Sequence, residues 1–235
     1  MEEFKTSINN HYKDSLFRMV FANPDHRDLT LSLYNAISGS DLKNPDELEF
    51  TTIDNVLYMG RKNDLSFIVA DELVVAEHQS TRCGNMPVRM LIYAAMVYSK
   101  LIHRKGMSPY GNKTIALPVP KLVCLYNGAE DMEERSIRSL SEAFPPGSEP
   151  DIHAEVLMLN INRGKNSAML GSCAALASYS LLLYQQVVKA MHSGRVFSNP
   201  KLKLHWRGPL TDFYSLVLSR TSKWLSVIPP LQCSL

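Results

Sequence analysis

Asp64 and Glu77 are the residues of this 235-residue chain whose types and spacing best fit catalytic chemistry. Asp64 stands at the start of one short apolar run and Glu77 near the end of the next, so a hairpin of that length brings both carboxylates to one edge of a sheet. Gln79 shares a strand face with Glu77, because residues two apart on a strand point the same way and lie about 6–7 Å apart. His78, between them, points to the other face. Two carboxylates suit Mg²⁺ or Mn²⁺; Mg²⁺ in particular keeps several waters and completes its octahedron with substrate phosphate oxygens. Such an ion lowers the pKa of a bound water and offsets charge developing on the phosphate. The chemistry implied is phosphodiester hydrolysis, with the Gln79 amide able to orient a water but unable to supply a positive charge. Taken alone, an Asp, twelve residues and then Glu-x-Gln is a loose pattern that fits solvated strand-end charges better than catalysis.

The elements that must position these residues follow from periodicity. Tyr12, Leu16, Phe17, Val20 and Phe21 recur at helical spacing, and Asn23-Pro24-Asp25 stops that helix and caps another running to about Ile37. Lys13 and Asp14 on the first helix either support the metal site or simply solvate the face bracketing the apolar stripe. Residues 48–59, 65–69 and 73–78 are short apolar or β-branched runs split by Gly60-Arg61-Lys62-Asn63 and Asp71-Glu72, a three-strand meander. Residues 86–105 are apolar nearly all round at first and end in Lys100, His103, Arg104 and Lys105 before Gly106, as a buried crossover helix would. Arg89, Tyr93, Lys100, His103 and Arg104 fall in one stripe of that helix, a track for nucleic-acid phosphates or an ordinary exposed face. Strands follow at 121–126 and 154–161, and 168–191 reads as a helix. Strands separated by a long helix predict an α/β fold with a mixed sheet, since a parallel return needs such a crossover.

Composition sets the class. The 45% apolar and 20% charged residues belong to a globular chain rather than a disordered one. The start lacks the basic, apolar and small-residue regions of a secretory signal, and no apolar stretch is long enough to span a bilayer, so a cytoplasmic protein with no membrane partner is expected. Cys83, Cys124, Cys173 and Cys233 show no C-x-x-C pair and are expected as reduced thiols. His11, His26, His153, His192 and His205 have no ligand spacing. Residues 1–192 carry 19 basic and 22 acidic side chains against 6 and 1 in residues 193–235, which separates a slightly acidic body from a basic tail punctuated by Pro200, Pro209, Pro229 and Pro230. With Trp206 and Trp224, the tail is either a DNA-gripping arm or a degenerate end; its lack of helical period favours the second.

Several blocks carry a family resemblance: Tyr12-Lys13-Asp14-Ser15-Leu16-Phe17-Arg18, Val56-Leu57-Tyr58-Met59-Gly60-Arg61-Lys62-Asn63-Asp64-Leu65-Ser66-Phe67, Glu77-His78-Gln79-Ser80-Thr81, and Asn85-Met86-Pro87-Val88-Arg89. Leu125-Tyr126-Asn127-Gly128 and Leu159-Asn160-Ile161-Asn162 follow in order. In this wording the chain resembles the bacterial Rpn family, the recombination-promoting nucleases also described as PD-(D/E)xK nuclease family transposases, over about residues 12–191. The resemblance implies a restriction-endonuclease-like core and a Mg²⁺-dependent DNA endonuclease linked to recombination or mobile elements. By position, Asp64 takes the metal-binding aspartate, Glu77 the acidic residue of the D/E-x-K element and Gln79 its lysine position, with the His78 backbone carbonyl as a further metal ligand. DNA is the partner implied, no small-molecule cofactor is expected, and a homodimer is one assembly this allows.

Two rivals stand beside the nuclease. One is a catalytically inactive DNA-binding or interaction remnant of a mobile-element nuclease, for which Gln79 and the irregular tail speak. The other is a purely structural α/β protein, which requires Asp64 and Glu77 to lie far apart.

Overall fold

The computed structural model describes residues 12–51 and 63–192. Their strands form one six-stranded mixed sheet: β1 (Glu49–Phe50), β2 (Leu65–Val69), β3 (Glu72–Gln79), β4 (Val119–Tyr126), β5 (Arg135–Ser139) and β6 (Glu155–Asn160), in the spatial order β1-β2-β3-β4-β6-β5. The pairs β1–β2 and β2–β3 are antiparallel, β3–β4 and β4–β6 parallel, and β5–β6 antiparallel. The helices are α1 (Tyr12–Phe21), α2 (Arg27–Ser38), α3 (Met86–Arg104), α4 (Ser167–Ser172) and α5 (Ala174–His192). The protein is therefore a mixed α/β fold in which α3 provides the crossover that a parallel β3–β4 pair requires.

The β2–β3 hairpin fixes the register on which the site depends. Val69 pairs with Glu72, leaving only Ala70 and Asp71 as the loop, and both have positive φ (49° and 60°). Two central residues in the left-handed region are what a two-residue hairpin turn needs to match the twist of its strands. From that turn the ladder runs to Leu65 opposite Ala76, and one further step sets Asp64 opposite Glu77. A one-residue slip would send every side chain of β2 to the other face.

Alternation along the strands divides the core in two. Leu65, Phe67, Val69, Val74, Ala76, Val123, Leu125 and Leu159 face the apolar sides of α1, α2 and α5, including Phe17, Phe21, Leu33 and Tyr179. Leu73, Val75, Cys124, Tyr126, Val156 and Met158 face α3 through Met86, Met90, Tyr93, Ala94 and Val97. Local chemistry sets the turns around α2: the Asn23 side chain accepts the Asp25 N–H at 3.0 Å and caps a short 3-10 turn, Pro24–His26, that leads into the helix, and Gly39, in the left-handed conformation, closes it.

The expected helix at 168–191 is interrupted. Cys173 adopts an extended conformation after Gly171-Ser172, so α4 and α5 are separate. Strand β5 was not legible from periodicity, because its Arg-Ser-Ile-Arg-Ser sequence is a polar, partly exposed edge strand. Of the first meander strand, only Glu49–Phe50 is assigned; residues 52–62, and the tail at 193–235, lie outside the described residues. Among the described residues no helix is long and apolar enough to cross a membrane, and Cys83, Cys124 and Cys173 are free thiols.

Candidate functional site

Asp64 and Glu77 meet on the α3 face of the sheet, at the end of the ladder farthest from the hairpin turn. The backbone N–H of Asp64 donates to Glu77 Oε1 at 3.0 Å. The N–H of His78 donates to Asp64 Oδ2 at 2.9 Å. Each carboxylate is thus oriented by a backbone donor of the opposite strand, and both are buried, Asp64 at 7% and Glu77 at 2% exposure. Acidic side chains are almost never this buried unless paired.

A positive partner of Glu77 comes from α3. Arg89 sits one turn into the helix, and its Nη2 forms an ion pair with Glu77 Oε2. Burial works against the guanidinium charge, but Glu77, with contributions from Tyr93 and Cys83, more than offsets it, so Arg89 holds its proton beyond its ordinary range. The Arg89 guanidinium also lies 5.8 Å from the centre of the Tyr93 ring. Burial, then the charges of Glu77 and, to a smaller extent, Asp64 push the Tyr93 phenol upward, against the opposing effect of Arg89. Beneath the pair, Cys124 is opposite Glu77 in the β3–β4 register, and burial followed by the Glu77 charge pushes its thiol up as well.

The phosphate track expected along α3 does not form as one exposed stripe. Its first half faces the sheet: Tyr93 is only 6% exposed and belongs to the core, and Arg89 is held on Glu77. Its second half is solvent-facing, with Lys100 and Arg104 exposed and Arg104 paired to Glu49 of β1. The helical wheel gave the sector correctly, but not where along the helix the sheet covers it.

His78 points away from the carboxylates. Its ring is 1% exposed and packs on the other face, 5.8 Å from Phe17 and 5.4 Å from Tyr179 between ring centres. The ring is therefore remote in direction from any ion at Asp64 and Glu77, and only its backbone lies at the sheet end. Gln79, half-buried, follows Glu77 on the same face, and its carbonyl accepts the Asn127 N–H at 2.8 Å. Lys13 and Asp14 lie in α1, with their side chains outside the described residues.

Sequence reasoning assigned no role to the amide lattice that holds this end of the sheet. Asn127 Nδ2 donates to Asn162 Oδ1 at 2.9 Å, Asn162 Nδ2 to the Gly128 carbonyl at 3.0 Å, and Asn160 Nδ2 to the Met132 carbonyl at 2.7 Å. A Cβ on Gly128 would stand 2.2 Å from the Tyr126 hydroxyl oxygen, so the turn accepts only glycine without rearrangement. The Asn-Gly and Asn-x-Asn wording was the available signal, marking where β4 and β6 end. Arg82, Arg163 and Lys165 follow the carboxyl ends of β3 and β6, where open α/β sheets bind ligands. Arg82 and Lys165 pair there with Glu130 (3.7 Å) and Asp131 (3.4 Å).

A cleft of about 520 Å³, lined among others by Tyr34, Glu72, Lys121 and Arg135, opens near the opposite ends of the parallel strands, away from the carboxylate pair. Among the described residues no group of three or more His, Cys, Asp or Glu side chains is placed to hold a metal ion. Two carboxylates alone still fit a cation of the Mg²⁺ type, which takes one or two protein carboxylates and fills its remaining positions with water and phosphate. They fit a zinc-type cage, which needs three or four nitrogen or sulfur ligands, poorly. No family model, no curated protein and no solved structure matches this chain.

Proposed function

We propose that this protein is a Mg²⁺- or Mn²⁺-dependent DNA endonuclease with a PD-(D/E)xK-type core. One observation carries the proposal: Asp64 and Glu77, thirteen residues apart, are buried on one sheet face and interlocked through each other's strand. The order of helix, antiparallel strands, crossover helix and parallel strand, and the blocks resembling the Rpn family, support the same class.

In this reading Asp64 and Glu77 hold the ion, with the His78 carbonyl as the adjacent backbone ligand. When bound, the ion supplies an acidified water and charge stabilisation at the phosphate. Gln79, next along the face, orients a water through its amide. Arg82, Arg163 and Lys165 take flanking phosphates at the strand ends, which moves the nucleic-acid track from Lys100 and Arg104 to loops beside the carboxylates. Nicking of supercoiled plasmid in Mg²⁺ and in Mn²⁺, with the native chain, Asp64→Asn and Glu77→Gln, tests the assignment. Cleavage by the native chain alone is expected; equal activity in all three rejects it.

A second reading, an inactive DNA-binding remnant, is favoured by the guanidinium of Arg89 on the oxygen of Glu77 that an ion would use. It predicts salt-sensitive DNA binding with no metal uptake in calorimetry.

A further inference from the structure

The guanidinium shown against the two buried carboxylates comes from a helix rather than from the strand. Backbone donors orient one oxygen of each acid, and Arg89 makes an ion pair with the other oxygen of Glu77, Oε2. Gln79, the next side chain on that face, is an amide and carries no charge. Chemistry on a phosphodiester is helped by a positive group beside the charge that develops. Arg89 is the positive side chain shown against the pair, and a guanidinium matches phosphate oxygens as readily as carboxylate oxygens.

Resting on the metal-pair reading above, we infer that Arg89 is the charge-supplying residue of this site and exchanges between two partners. A divalent ion on Glu77 and the Arg89 guanidinium compete for Oε2, so binding of the ion displaces Arg89 from that oxygen. In its Glu77-bound position the guanidinium lies 5.8 Å from the centre of the Tyr93 ring, and once displaced it turns its donors to the scissile phosphate. Arg89 side-chain exposure of 24% leaves it at the rim rather than sealed in the core, so this move needs a change of rotamer and no opening of the sheet. The pair thus links metal entry to release of the phosphate-binding cation.

The linkage separates this role from a structural one. A merely structural Arg89 would weaken metal binding and turnover together when replaced. A competitor that also serves the phosphate gives opposite signs. Full-length native protein, Arg89→Gln and Arg89→Lys are titrated with Mn²⁺ by calorimetry and assayed for plasmid nicking at saturating Mn²⁺, with circular-dichroism melting to establish folding. In Arg89→Gln, Mn²⁺ is expected to bind about tenfold tighter, because its competitor is gone, and cleavage to slow by about 10²–10³-fold. Arg89→Lys, which keeps the charge, is expected to recover part of the rate. Unchanged or weaker Mn²⁺ binding in a folded Arg89→Gln, or an unchanged rate, overturns the inference and leaves the nuclease reading standing. Absence of Mn²⁺ uptake by the native chain overturns both.

Discussion

Asp64 and Glu77 fix one another across the β2–β3 ladder: Glu77 Oε1 accepts the backbone N–H of Asp64 at 3.0 Å, while Asp64 Oδ2 accepts that of His78 at 2.9 Å. The two acids are parts of the hairpin's own hydrogen bonding as well as candidates for chemistry. Stability and function therefore respond differently to different replacements at the same position.

Asp64→Asn keeps an oxygen for the His78 N–H and removes the charge. It is expected to change urea-unfolding stability by less than about 1 kcal/mol while abolishing metal uptake. Asp64→Ala leaves a buried N–H without that acceptor and is expected to cost about 1–3 kcal/mol. Equal stability losses in the two variants would mean that the hydrogen bond contributes little.

Ala70 occupies a turn position with φ of 49°, where a side chain costs about 1–2 kcal/mol relative to glycine and asparagine is better tolerated. Ala70→Asn is expected to stabilise the protein by about 0.5–1 kcal/mol and to leave Asp64 opposite Glu77, so activity stays unchanged. A fall in melting temperature would show that the turn tolerates Ala70 for another reason.

Much of this hairpin was legible beforehand, because alternating runs with a short polar interruption permit few pairings. Asp64 and Glu77 followed from their positions on it, and α3 from its continuous apolar stretch ending in basic residues. Arg89 was seen as a phosphate contact, but its engagement with Glu77 was hidden: helical spacing gives a direction around the axis, not what waits there across 12 residues of sequence. Tyr93 was placed on the surface for the same reason. Strand β5 escaped because Arg135 to Ser139 has no buried face of its own and is held by backbone pairing to β6. The break at Cys173 was equally silent, since its neighbours are small residues compatible with helix.

His78 tests whether the ring or only the backbone belongs to the metal site. Packed by Phe17 and Tyr179, the ring behaves as a core group, so His78→Ala is expected to cost about 2–4 kcal/mol through the void it leaves. Metal affinity, measured by calorimetry under conditions where the variant is folded, should remain within about threefold, a difference below about 1 kcal/mol. A loss of a hundredfold would place the imidazole on the ion.

Alkaline pH should weaken the fold through its buried thiols. Burial raises the pKa of both Cys124 and Cys173 above the ordinary 9.0, so the folded chain keeps protons that the unfolded chain loses. Their contribution is complete below about pH 8.5 and declines above it, by up to about 1.4 kcal/mol per pH unit for each thiol. Tyr93, also raised by burial, adds a decline of the same sign above about pH 10. Urea unfolding under reducing conditions at pH 7.5 and 9.5 should show the loss, and Cys124→Ala should reduce it. An identical pH slope in that variant would assign the decline elsewhere.

Nucleic-acid contacts are expected at the strand ends rather than along the far half of α3. Lys100 lies 11 residues beyond Arg89 and Arg104 lies 15 beyond it, distances of about 16 and 22 Å along a helix rising 1.5 Å per residue. Arg82 instead follows β3, the strand of Glu77, and Lys165 follows β6, two strands away, and their pairs with Glu130 and Asp131 are exposed ones worth at most about 1 kcal/mol. DNA phosphates can replace such partners at little cost. The double variant Arg82→Ala/Lys165→Ala should bind duplex DNA more weakly, with the slope of log affinity against log salt smaller by about 2. Lys100→Ala/Arg104→Ala should leave that slope unchanged. The opposite pattern, measured by fluorescence anisotropy between 50 and 200 mM salt, would return the track to α3 and detach DNA binding from the carboxylate pair.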